Sequence, residues 1–249
     1  MTTTPRQRNA EKAGFKYSTL PLRRGKRPKQ WLCPTKGTIM TVERAVLSQY
    51  EADGWRGYHR EGGLILNLIK CMSFPEISPR HRMTYIEALY AQNVAFKEDY
   101  FTKATLLANL KRATPDQVKR NFEMMMSAPP PLRKSVSSLF KRPKASVPVK
   151  APSILDWFPG LETWMLVELM EVAGVDLLHR IATIFSTDPY EFRRGWPDLT
   201  IWKDGQLRFV EVKAPGDSLG KSQRTIAQHF AIPLALEFSI VDVRVCPKF

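Results

Sequence analysis

Three charged residues toward the C-terminal end of the chain are spaced for joint chemistry: Asp198, Glu211 and Lys213. They lie in Gly195-Trp196-Pro197-Asp198-Leu199 and in Arg208-Phe209-Val210-Glu211-Val212-Lys213. Glu211 and Lys213 are two apart in an apolar run, so on a strand their side chains leave the same face, while Val210 and Val212 point the other way into apolar packing. Asp198 opens a second expected strand, Asp198–Trp202, joined to Leu207–Lys213 by Lys203-Asp204-Gly205, a hairpin signal. A short hairpin gathers all three side chains at one edge of a sheet. Two carboxylates alone there repel, and a divalent cation removes that cost while creating a hard oxygen site. Such a site suits phosphodiester cleavage. The metal takes a nonbridging oxygen and lowers the pKa of a bound water, and Lys213 orients or helps deprotonate that water and counters the developing charge. No Ser–His or Cys–His arrangement competes, since His59, His81, His179 and His229 are scattered.

The motif needs its context. From average residue frequencies, Pro-Asp followed within about 10 to 20 residues by Glu-x-Lys arises by chance in roughly one chain in thirty of this size. Confining Glu-x-Lys to an apolar strand lowers that rate several-fold. Pro115-Asp116 serves as an internal control, because it precedes a helix and has no Glu-x-Lys behind it. The plain alternative is a pair of strands exposing a surface ion pair, where charged residues ordinarily sit.

The elements that must position these residues come in two groups. Val42, Ala45, Val46, Gln49 and Tyr50 recur at helical spacing after Thr41, and Asp53-Gly54 ends that helix. Further helices are expected from near Glu61 to Met72, over 83–97 and 101–111, and after Thr114-Pro115-Asp116, an N-cap with a helix-opening proline. Met124-Met125-Met126 fits core packing at the end of the last of these. Residues 154–172 are again apolar at helical spacing, Ser218 is placed to cap a helix running to Phe230, and Ala235–Val245 reads as a strand. Strand, strand, helix, strand after a helical N-terminal half makes the fold α/β.

The 249 residues carry a net charge of +14, of which +9 falls in residues 1–36 and +6 in residues 127–152, so the rest is close to neutral. Residues 1–36 read as a disordered basic arm and 127–152 as a Pro/Lys-rich linker. The remaining units are a helical part, 37–126, and a core, 153–249. Basic arms suit a polyanion, because neutralising phosphates releases counterions. No run is long enough to span a bilayer and no secretory signal is evident, so a cytoplasmic protein with no membrane partner is expected. Cys33, Cys71 and Cys246 form no CxxC pair, which argues for a reducing compartment and against zinc.

Arg194 to Trp202, then Phe209 to Leu219, then Gln223, resemble the VRR-NUC branch of the PD-(D/E)xK nuclease superfamily. This nuclease module ends the Fanconi-associated nucleases and occurs in small stand-alone bacterial and phage proteins. The resemblance implies a restriction-endonuclease-like mixed sheet flanked by helices, and a Mg²⁺- or Mn²⁺-dependent deoxyribonuclease. The family places a further glutamate in an upstream helix, and Gly54-Trp55-Arg56-Gly57-Tyr58-His59-Arg60-Glu61-Gly62-Gly63 matches that pattern. Glu61 is then implied at the metal beside Asp198 and Glu211, with the Val212 carbonyl as a further ligand and Gln223 near the water or scissile phosphate. Without the family, Glu61 reads as a helix-start acid favoured by the helix dipole. DNA, with branched DNA among the candidates, is the implied partner, and stand-alone members can dimerise. Two settings stay open: structure-directed repair or recombination, and a DNA-damaging antibacterial effector, delivered without a signal peptide and held in check by an immunity protein. The competing readings are a non-catalytic DNA-binding module using the basic arms, and a helical interaction protein with an incidental acidic hairpin.

Overall fold

A computed structural model of the chain describes residues 4–92, 101–127 and 153–246. Its elements run α1 (Pro5–Lys12), β1 (Lys16–Leu22), β2 (Trp31–Leu32), β3 (Ile39–Met40), α2 (Val42–Ala52), β4 (Arg56–His59) and α3 (Gly63–Ser73). Then come α4 (Ile86–Tyr90), α5 (Lys103–Lys111), α6 (Pro115–Met126), α7 (Ile154–Trp157), α8 (Thr163–Ala173), α9 (Val175–Phe185) and α10 (Pro189–Phe192). The chain finishes with β5 (Leu199–Lys203), β6 (Gln206–Lys213), α11 (Lys221–Ile226), a π-helical turn (Ala227–Ala231), α12 (Ile232–Leu234) and β7 (Glu237–Val245).

The hairpin forms as its residues dictate. Asp204 and Gly205 take φ of 48° and 75°, the paired left-handed conformation that lets a two-residue turn follow strand twist. Around it lies a five-stranded mixed sheet in the order β1-β7-β6-β5-β4, parallel from β1 to β6 and antiparallel from β6 to β4. Strand parity then sorts the core. Val210 and Val212 of β6 join Leu199, Ile201, Val241 and Val243 on the face covered by Ala45, Val46 and Leu47 of α2. Phe209 of β6 and Phe238 and Ile240 of β7 belong to the larger cluster built from α3, α5, α6, α8 and α9 on the other face. Glu211 and Lys213 share parity with Phe209, so they emerge on that second face, at the end of the strand.

Several expectations hold. Thr41 and Thr114 cap α2 and α6 by accepting from Arg44 N at 3.3 Å and Gln117 N at 3.2 Å. Met125 is buried, and Met124 and Met126 pack against the same cluster.

Others are corrected. Of the arm expected over residues 1–36, residues 4–36 are ordered: they build α1, β1 and β2, and β1 runs parallel to β7 along its full length, from Lys16↔Ser239 to Leu22↔Val245. The physical reason is pairing over great sequence separation, which a polar, weakly alternating strand does not announce. The N-terminal half is accordingly not all helical, since it gives β1 and β4 to the sheet. The 154–172 stretch breaks into α7 and α8 at Pro159-Gly160, where Gly160 has φ 78°. The helix expected to begin near Glu61 begins at Gly63, and the one expected from Ser218 begins at Lys221. Of the helix expected over 83–97, Ile86–Tyr90 forms, while residues 93–100 and the linker at 128–152 lie outside the described residues.

Candidate active site

Asp198 and Glu211 meet because of register. The last ladder pair of the hairpin is Leu199↔Val210, so one residue further Asp198 falls opposite Glu211. The Val212 amide donates to Asp198 Oδ2 at 2.9 Å, tying the aspartate to the neighbouring strand. Ahead of it, Trp196 is a buried anchor. Its indole packs on Phe209 and Phe230, and its Nε1 donates to Phe192 O at 2.8 Å. The preceding Gly195, at φ 84°, lets the loop pass close to α11: a Cβ there would lie 2.4 Å from the Ser222 carbonyl carbon.

Glu211 and Lys213 are 2% and 6% exposed. Lys213 Nζ lies 2.9 Å from Glu211 Oε1 and donates to Gln223 Oε1 at 3.0 Å. Gln223 Nε2 donates to the same Glu211 oxygen at 2.6 Å, and its own oxygen also accepts from Gly220 N at 2.7 Å, at the start of α11. One amide side chain therefore fixes both Glu211 and Lys213 to a helix end. Glu211 Oε2, by contrast, is buried with no hydrogen-bond partner. Burial, then the negative charge of Asp198, pushes the Glu211 carboxyl up to about 8. Burial also pushes Asp198 up to about 6 against the Val212 amide, with the charge of Glu43 adding to the rise. Two carboxyls that resist ionising side by side form a site that gains from added positive charge.

Asp198, Glu211, Lys213 and Gln223 are thus brought together, with the Val212 backbone. Glu61 is not. It lies exposed in the turn between β4 and α3, not in a helix, and its Oε1 accepts from Gly195 N at 2.6 Å. There it supports the loop that delivers Asp198. Among the described residues no group of three or more His, Cys, Asp or Glu is arranged to hold a metal. The acid that sequence reading passed over is Glu43, in the first turn of α2, whose charge reaches Asp198. It lines a cavity of about 480 Å³ with Arg24, Lys29, Ala214 and Pro215 at the end of β6. A first-turn acid beside an N-cap threonine has a sufficient local explanation in the helix dipole, so nothing in the sequence marked it out.

Residues 161–243 match the VRR-NUC domain, and this stretch contains Asp198, Glu211, Lys213 and Gln223. An alignment 229 positions long, covering 87% of this chain, is 25% identical to the Fanconi-associated nuclease 1 homolog of Schizosaccharomyces pombe, of which it spans 28%. Two crystal structures of paFAN1, bound to 2-nt and 1-nt 5′-flap DNA with a gap, align with TM-scores of 0.59 and 0.57 at 17% and 19% identity. They cover 100% and 94% of this chain, which spans 39% and 38% of theirs. At that identity the likeness is one of fold, a mixed sheet flanked by helices.

Proposed function

We propose that this chain, carrying a VRR-NUC domain over residues 161–243, is a DNA nuclease that hydrolyses phosphodiester bonds with a divalent cation, Mg²⁺ or Mn²⁺. One observation carries the reading. Glu211, opposite Asp198 in the hairpin register, has one buried oxygen without a partner, and its other oxygen lies beside an ammonium that Gln223 also holds. An oxygen-only donor set with raised carboxyl pKa values fits a hard cation. Asp198 and Glu211 would hold it, Glu43 would add negative charge from α2, and the Val212 carbonyl is the main-chain ligand that the resemblance implies. When bound, the cation supplies Lewis-acid polarisation of the phosphate and a water of lowered pKa. The chain's own residues do the rest. Lys213, held by Glu211 and Gln223, is placed to counter the negative charge that develops on the phosphate oxygens. Gln223 sets the position of both motif residues, and the Val212 amide fixes one oxygen of Asp198 so that the other faces the site. Glu61, which the resemblance implies at the metal, also holds Gly195 and hence the Asp198 loop.

The test is cleavage of supercoiled, linear, flap and four-way DNA with and without Mg²⁺ or Mn²⁺. Flap DNA comes first, because the paFAN1 crystals hold it. Cleavage abolished by Asp198→Asn or Lys213→Ala and by EDTA is the expected result; cleavage that persists in EDTA overturns the mechanism. Binding without cleavage under every condition would make the chain a DNA-binding module instead. Preference for branched substrates would assign a repair or recombination role. Toxicity on expression, relieved by a neighbouring gene product, would assign an antibacterial effector.

A further inference from the structure

We propose that the cleft between α1 and α11 seats a backbone phosphate of the nucleic-acid strand next to the scissile one, contacted by Lys12, Arg224 and Gln228. The inference rests on the nuclease reading above and adds a wall from α1, outside the VRR-NUC match, to residues of α11 and the π-helical turn within it. A cavity of about 710 Å³ opens beside Lys213, within the usual size of ligand sites, and is lined by Arg6, Asn9 and Lys12 from α1 and by Arg224 and Gln228 from the far wall. Arg6, Asn9 and Lys12 recur every three residues, so one face of α1 looks into it.

The charges in the cleft divide by role. Arg6 pairs with the fully buried Asp242 and donates to the Asp217 carbonyl. Asp242 also accepts from Tyr17 at 2.6 Å and pairs with Arg244 at 2.5 Å. Lys213 is paired with Glu211. Lys12 and Arg224 remain to give the cavity its sign. Arg224 donates to a neutral carbonyl, Leu219 O, at 2.6 Å and so keeps its full charge. The one acid on the rim, Asp217, accepts from the Ala214 amide at 2.9 Å.

Two further features fit a built wall. In α1 only Ala10 is buried, with Ala13 beside it against the core, so little apolar surface docks this helix, and the Arg6–Asp242 strut adds to it. Gln228 lies in the π-helical turn, a distortion that frequently marks functional positions, here turning a neutral donor and acceptor toward the cleft.

The experiment is equilibrium binding of a fluorescent single-stranded oligonucleotide to the full chain in EDTA, over a salt series, followed by cleavage kinetics in Mg²⁺. Lys12→Ala is expected to weaken binding about tenfold and to reduce the slope of log K against log[salt] by about 0.7, the loss of one phosphate contact. Gln228→Ala is expected to weaken binding with the slope unchanged, because it carries no charge. Lys111→Ala, on the exposed surface of α5, is expected to change neither. In cleavage, Lys12→Ala raises KM on the oligonucleotide by at least five times its effect on bis(p-nitrophenyl) phosphate, a single diester without a neighbouring nucleotide. An unchanged slope for Lys12→Ala, or an equal fall for Lys111→Ala, overturns the subsite. A lowered slope in a protein that cleaves nothing leaves the subsite standing and removes the nuclease reading instead.

Discussion

Glu211→Gln is expected to stabilise the metal-free protein at pH 8, although it destroys the proposed catalytic site. The carboxyl moves from an ordinary 4.5 to about 8 on folding, chiefly through burial and then through the charge of Asp198. Between those values the folded state holds a proton that the unfolded state has released, so stability falls as pH rises from about 4.5 to about 8 and stays reduced above that. At about 1.4 kcal/mol per unit the full effect is of order 5 kcal/mol, a large part of the about 5–15 kcal/mol that holds a typical domain. Glutamine keeps the oxygen that accepts from Lys213 and Gln223 but never ionises. His59, held below its usual value by burial and nearby arginines, tilts stability the opposite way and is common to both proteins, so the difference between them reads the Asp198–Glu211 pair. The assay is urea unfolding in EDTA at pH 5 and pH 8. Wild type should lose more than about 1 M in midpoint relative to the variant over that interval. At pH 8, saturating Mg²⁺ or Mn²⁺ should restore about 2.7 kcal/mol to wild type at a hundredfold excess over Kd, and nothing to Glu211→Gln. The same pH slope in both proteins would refute the assignment of Glu211 as the strained carboxyl.

Gln223→Ala removes the side chain that ties Lys213 to Glu211, and should lower single-turnover cleavage by about tenfold to a hundredfold while leaving the far-UV spectrum unchanged. Activity within twofold of wild type would make that bridge incidental. Gly195→Ala sets a Cβ against the Ser222 backbone at a positive φ and should cost about 1–3 kcal/mol in urea unfolding, with cleavage lost as α11 shifts; an unchanged midpoint would show that the close approach is not needed. Deleting residues 1–22 strips β1 from β7 and should give an aggregating protein rather than a soluble one with weaker DNA affinity, read by light scattering.

How far the site was readable follows from how local its causes are. Asp198, Glu211 and Lys213 came from strand parity and an Asp-Gly turn, both settled within sixteen residues of chain. Gln223 came through resemblance, and its hydrogen bonds to both motif residues give that position a physical role. Glu61 sat in a matching local pattern, yet its carboxylate is engaged by the Gly195 amide, a partner 134 residues away that no window around Glu61 contains. Glu43 had the reverse problem, since a capped helix start accounts for an acid there without any site. The first thirty-six residues misled most. β1 exposes most of its residues and carries Pro21, tolerable only because the strand lies at the sheet edge.

That last misreading bears on how the molecule works. A basic segment and an ordered edge strand are not alternatives here, because α1 and β1 are fixed by one buried carboxylate, Asp242, whose register partner on β6 is Lys213. Arg6 reaches Asp242 from α1 and Tyr17 from β1, so the contact at the sheet edge also sets the wall of the cleft beside Lys213. Neutralising Asp242 would therefore loosen the sheet edge and the cleft together. Charge that composition alone assigns to a loose, long-range attraction for polyanions is, for Arg6, charge held by Asp242 in the wall of the cavity that Lys12 and Lys213 also line.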